Sequence, residues 1–171
     1  NDPAVVVDFP ILSGYDTSGT DDDVCLVAWT TTPWTLPSNV ALCVNPTLDY
    51  VQIKDKTRNK TFIIAKSRLS QIFPIMNQKK KWKPEVQEAT YEIQKTMKGQ
   101  ELVGIRYRPL FTFFQDMPGA ENYWQVVSDT YVTEDSGTGV VHQAPAFGED
   151  DNRVCKAKGV ITKGVPFPQP V

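Results

Sequence analysis

The chain has 171 residues, 40% of them apolar and 22% charged, with a formal net charge of −2. That length supports one domain with a sizeable core, and the faintly acidic balance argues against a protein that grips nucleic acid over a broad basic face. No apolar run approaches the roughly 20 residues of a membrane span.

Both ends, Asn1 and the closing GVPFPQPV, read as cuts, so a single domain over 1–171, taken from a longer chain, is expected. The first clear strand is VCLVAW at 24–29. Three threonines follow it, Thr30, Thr31 and Thr32, and then PWTLPSN, whose two prolines suit neither a helix nor a regular strand. ALCV at 41–44 resumes the strand pattern. YVQIKD (50–55) and KTFIIA (60–65) alternate and are joined by KTRN, which predicts a hairpin. KSRLSQIFPIM (66–76) reads as a short helix ended near Phe73 by Pro74. QKKKWKPE (78–85) is the one concentrated basic run and reads as a solvated loop.

Further strands are expected at 89–97, 124–129 and 138–144. GEDDNRVCKAKG (148–159) has acidic residues in its first turn, Lys156 and Lys158 in its last and Gly159 at the position of a C-terminal glycine cap, all signals of a helix. The fold class is therefore a β-rich α+β domain: a partly closed β-barrel core with a few short peripheral helices.

Few groups are available for chemistry. The three cysteines, Cys25, Cys43 and Cys155, form no CxxC pair, which argues against a disulfide framework and a zinc site and leaves them as small apolar fillers in a reducing compartment. There is no GxSxG elbow, no GxxxxGK[ST] loop and no GxGxxG. The sole histidine, His142, comes at a strand end just before Pro145, and Asp150 and Asp151 open the following helix. Each feature has an ordinary explanation: threonines are good strand formers, paired acids complement a helix dipole, and a lone histidine is commonly just packed. Taken together they describe a site of hydroxyls, backbone groups, one imidazole and one or two carboxylates. Such a site can hold a polar ligand and a water but lacks a strong nucleophile.

WTTTPWTLPSN together with GTGVVHQAPAFGEDD resembles the editing domain of isoleucyl-tRNA synthetase, the insertion called connective peptide 1, of the eukaryotic cytosolic type. Leucyl- and valyl-type relatives read closer to TTRPET in the threonine segment, and the intervening strands suit the family over the whole chain. The resemblance implies a hydrolase that proofreads. One methylene is worth only ~1–3 kcal/mol of discrimination, isoleucine against valine being the standard instance. Valine therefore slips through the synthetic site, and a second site removes it from isoleucine tRNA, and from valyl-adenylate as well, while isoleucine is too large to enter.

Thr30, Thr31 and Thr32 leave the strand with hydroxyls and backbone groups pointing alternately, so that some can line the side-chain pocket and others bind the carbonyl, the water or the terminal ribose. By the resemblance Asp151, in preference to Asp150, anchors the α-ammonium, and Thr30, Thr31 and Asp151 are the catalytic candidates. Thr32, Thr35 and Asn39 join them in binding substrate. Trp34 supports the loop or the adenosine end, and His142 closes the amino-acid pocket by bulk and hydrogen bonding, while an imidazole with an ordinary pKa near ~6.5 leaves a general-base role open to it. Pro33 and Pro37 stiffen the loop. Bacterial members often carry a second histidine after the AP dipeptide, where this chain has Phe147.

Editing in the family needs no metal or cofactor, ATP and Mg²⁺ being used by the parent enzyme's synthetic site. The implied partners are the 3′ end of mischarged isoleucine tRNA and the rest of the parent synthetase, in the cytoplasm and away from membranes. The alternative is a structural or tRNA-docking insert without hydrolytic activity.

Overall fold

A computed structural model describes residues 4–20, 23–56, 58–76, 91–135 and 137–169. The basic run at 78–85 and the start of the strand expected at 89–97 lie outside the described residues. Among the described residues there are nine strands: β1 (Val5–Ser13), β2 (Val24–Thr30), β3 (Ala41–Val44), β4 (Asp49–Asp55), β5 (Lys60–Ala65), β6 (Tyr91–Lys98), β7 (Arg106–Tyr107), β8 (Gln125–Ser128) and β9 (Val140–Gln143). They form one mixed sheet in the order β6-β4-β5-β2-β1-β7-β8-β3-β9. Two α-helices among the described residues, α1 (Leu69–Met76) and α2 (Glu149–Ala157), lie outside it, and none of the described helices is long and apolar enough to cross a membrane.

The hydrogen-bonded ladder does not close into a ring. It curls, so that β9 packs against β2 and the Ala65 N–H donates across the gap to the Thr138 carbonyl at 2.9 Å. β1 is the hinge of the curl. Its first half pairs antiparallel with β2, from Val5↔Thr30 to Pro10↔Cys25, and its end pairs with β7 after a bulge between Ile11 and Ser13.

Strand runs that look uniformly apolar are buried on both faces. In β2, Val24, Leu26 and Ala28 point into the central core with Phe9, Leu42, Tyr50, Ile63 and Val126, while Cys25 and Val27 point outward under α1. In β3, Leu42 and Val44 face inward, and Ala41 and Cys43 face α2, against Val154 and Cys155. All three cysteines are buried and unbridged. Burial pushes the Cys25 thiol up to about 11 and that of Cys43 to about 12, so they fill space and are poor nucleophiles.

The structure corrects the sequence reading in five places. Neither β1 nor the two-residue β7 is expected from the sequence. The PWTLPS segment is a 3₁₀ helix, Pro33–Ser38, with Pro33 at its start; a short 3₁₀ turn needs few donors, so prolines are tolerated there. α1 runs past Pro74 to Met76. Leu69, Ile72 and Phe73 are buried in the core beneath it. At about 1.5–3 kcal/mol for each such side chain, they outweigh the ~3 kcal/mol cost of one helical proline. Finally, β9 starts at Val140, because Gly137 (φ 69°) and Gly139 (φ 78°) are in the left-handed region and turn the chain.

α2 forms as the sequence predicts. The Val160 N–H bonds to the Cys155 carbonyl (2.9 Å) and the Gly159 N–H to that of Lys156 (3.3 Å), with Gly159 at φ 73°. This is the Schellman closure that glycine permits.

Candidate functional site

The C-terminal end of β2, the end of β9 and the N-terminus of α2 converge on one cleft of about 300 Å³. Its walls include Thr30, Thr31, Thr32, Thr35, His142 and Asp151, with Phe147 on the side where the sequence left the lining open. Six of the eight predicted site residues therefore share one cavity. Trp34 does not line it; it stands on the outer side of the 3₁₀ helix with 62% of its surface exposed. Asn39 is buried behind the cleft and reaches it only through His142.

The threonine segment holds itself in shape. The Thr30 hydroxyl accepts the Thr32 N–H at 3.0 Å and lies 3.3 Å from the Thr32 hydroxyl. The Thr32 carbonyl accepts both the N–H (3.0 Å) and the hydroxyl (2.9 Å) of Thr35. A strand end thus passes into a fixed 3₁₀ turn with its hydroxyls gathered on one side. Thr31 is exposed, and no hydrogen bond within the chain commits its hydroxyl among the described contacts.

His142 pairs with Leu42 across the β3–β9 ladder, which places its ring at the mouth of the barrel. Thr35 Oγ1 lies 2.8 Å from Nε2, and Asn39 Nδ2 lies 2.8 Å from Nδ1. The ring is buried, and burial pushes its pKa down to about 4. The sign of the linkage follows. The unfolded ring binds a proton near ~6.5 and the folded ring only near 4. Its contribution to stability is therefore complete above ~6.5 and is lost as the pH falls toward 4, by up to about 3 kcal/mol. Urea midpoints followed from neutral to mildly acid pH should fall more steeply in the wild type than in His142→Gln; parallel curves would show that the folded ring protonates normally.

Asp151 is the third residue of α2, and its Oδ2 accepts the Ala144 N–H at 2.9 Å. Burial raises its pKa, outweighing the stabilising bonds from the Ala144 and Asp151 N–H groups, and nearby Asp150 pushes the same way. The helix N-terminus alone would have favoured the ionised form; burial wins. Asp150, by contrast, turns to solvent and pairs with Arg153 at 3.3 Å. The helix is preceded by Gly148, an N-cap without a side-chain cap, where serine, threonine or aspartate is usual. Its backbone (φ −142°, ψ 140°) is open to any residue, but a Cβ there would come within 3.0 Å of the Asp151 carboxyl carbon and Oδ1. Glycine makes room for the carboxylate.

No family model matches the chain. The cytoplasmic isoleucine–tRNA ligase of Saccharomyces cerevisiae is 45% identical over 171 residues, all of this chain and 14% of the relative. The cytoplasmic ligase of Arabidopsis thaliana is 44% identical over 95% of the chain and 14% of the relative. The mouse enzyme is 47% identical over 95% of the chain and 11% of the relative. The chain thus spans about one seventh or less of these proteins' length.

Among solved structures, the editing domain of the cytosolic leucyl-tRNA synthetase of P. knowlesi superposes with a TM-score of 0.62 at 11% identity, over 87% of this chain and 60% of that one. The corresponding P. falciparum domain gives 0.60 at 10%, over 89% and 64%. The chain thus shares its fold with leucyl-tRNA synthetase editing domains, while along its whole length its sequence is similar to a segment of the cytoplasmic isoleucine–tRNA ligases.

Proposed function

We propose that the chain hydrolyses the ester of valine on isoleucine tRNA and spares isoleucine, with valyl-adenylate as a second substrate. The observation that supports this reading is the single cleft joining the threonine segment, His142 and Asp151. The Asp151 carboxylate faces the substrate's α-ammonium. The side chain enters against Val141, Ala144 and the His142 ring. The hydroxyls of Thr30 and Thr31 hold the ester carbonyl and a water in attack geometry.

An aminoacyl ester is already activated, so orientation can supply much of the acceleration without a protein nucleophile. The water oxygen bonds to the carbonyl carbon, the bond to the ribose oxygen breaks, and the water's proton passes to that oxygen. The reading requires no metal or cofactor at this site, ATP and Mg²⁺ belonging to amino-acid activation elsewhere in the full-length ligase. Relatives named as cytoplasmic support a cytoplasmic setting.

The test is to incubate the full-length ligase carrying this segment, and the 171-residue chain alone, with valyl- and isoleucyl-esterified isoleucine tRNA and to count released amino acid. Valine release by the ligase, with isoleucyl-tRNA preserved, is the expected result. If the valyl ester outlives the ligase as long as it survives in buffer, the domain is a tRNA-docking insert.

A further inference from the structure

The hydrogen bonds behind His142 have only one consistent direction. Thr35 has one hydroxyl proton, and it goes to the Thr32 carbonyl. Toward His142 Nε2 the same oxygen can only accept, so Nε2 carries the ring proton. On the other side, the Ala41 carbonyl can only accept. The nitrogen of the Asn39 amide therefore faces it at 2.9 Å, and that nitrogen's second proton points at His142 Nδ1. The amide oxygen, turned away, accepts the Tyr107 hydroxyl at 2.5 Å. Tyr107 is wholly buried, outside the cleft, on the two-residue strand β7.

The backbone around this pair is fixed by a strained residue. Trp124 has φ 59°, a left-handed conformation that a bulky side chain adopts only when its surroundings impose it. Its N–H donates to the Val40 carbonyl (2.6 Å), its carbonyl accepts the Tyr107 N–H (3.1 Å), and its indole N–H donates to the Asn39 carbonyl (3.1 Å). One residue thus ties the backbones of both Asn39 and Tyr107.

We propose that Tyr107 and Asn39 are a positioning pair that holds His142 as the neutral Nε2–H tautomer with both ring nitrogens occupied, making it a rigid wall and withdrawing it from proton transfer. The consequence for selectivity rests on the deacylase reading above; the tautomer does not.

His142 is the chain's only histidine, so ¹⁵N-histidine labelling of the 171-residue chain gives one ring to observe. The expected spectrum has a protonated Nε2 and an unprotonated Nδ1, unchanged through the range in which a free imidazole titrates, near ~6.5. A protonated Nδ1, or titration in that range, overturns the proposal.

In Tyr107→Phe the amide loses its anchor. The ring should show a tautomer mixture, and in the full-length ligase the valine-over-isoleucine discrimination should fall about tenfold. An unchanged spectrum with unchanged discrimination makes Tyr107 mere packing and removes the pair. Should Tyr107→Phe fail to fold, Asn39→Asp decides. A carboxylate beside Nδ1 should draw the proton there and raise the ring's titration, and a ring still protonated at Nε2 with its wild-type titration overturns the assignment. A correct spectrum in an inactive ligase would sink the deacylase reading and leave the pair standing.

Discussion

Asp151→Asn is expected to cut valyl-ester hydrolysis about a hundredfold and, at neutral pH, to raise the melting temperature. The first effect follows from charge. A hydrogen bond to a charged group is worth about 1.5–3 kcal/mol, and the upper end of that range is about a hundredfold in rate. The second follows from burial. The Asp151 pKa is raised in the fold, so the protonated carboxyl is the form the fold prefers. The stability gained from protonation is present below ~3.8 and is lost as the pH rises through the folded pKa. Asparagine stays neutral throughout and can still accept the Ala144 N–H, so it keeps that gain at neutral pH.

The wild type should also lose activity on the acid side at a pH above the ordinary carboxylate range. Gly148→Ala should show a smaller loss in the same direction, because its Cβ would press on the Asp151 carboxyl at 3.0 Å. Initial rates on valyl-tRNA by the full-length ligase, beside thermal melts, check all four expectations. An Asp151→Asn enzyme that deacylates at the wild-type rate would mean that the ammonium is held by another group.

What could be read from the sequence was whatever local chemistry determines. VCLVA and ALCV read as strands because they are apolar on both faces, and both faces are covered. The acidic start and Gly159 end of α2 are local signals, and the helix obeys them. β1 was illegible because Pro10 interrupts it. In the fold Pro10 stands where the strand passes from β2 to β7, and its carbonyl still accepts the Arg108 N–H at 2.8 Å. β7, two residues long, carries no periodicity to detect.

The same division holds for the site. The threonines, His142 and Asp151 lie in motifs dense enough to carry a family resemblance, and the fold brings them to one cleft. Trp34 stands within the same motif yet faces solvent, because neighbouring residues of a 3₁₀ helix are a third of a turn apart and Trp34 and Thr35 therefore point to different sides. Tyr107 could not be found at all. Its partner Asn39 is 68 positions away, and nothing near either residue advertises the pairing.

On the proposed function, His142→Ala should let the ligase hydrolyse isoleucyl-tRNA, with the valyl ester still cleaved. The ring is a large side chain at the cleft wall that is fixed from both sides, by Thr35 and Asn39. Phe147, the other large lining group near Asp151, is 41% exposed and can swing away at little cost. A one-methylene distinction is worth ~1–3 kcal/mol, which a wall that yields would forfeit; a ring fixed by two buried hydrogen bonds does not yield cheaply.

Replacing it by alanine leaves the Asn39 amide and the Thr35 hydroxyl facing an open cleft, where water can replace the ring's bonds. The stability cost should accordingly stay near ~1–3 kcal/mol. The gain in isoleucine hydrolysis should reach about tenfold to a hundredfold, the full worth of the lost sieve. Paired deacylation time courses on valyl- and isoleucyl-tRNA measure it. If the alanine variant still protects isoleucyl-tRNA, the larger side chain is stopped elsewhere, with Trp29 and Val141, which also line the cleft, the next residues to replace.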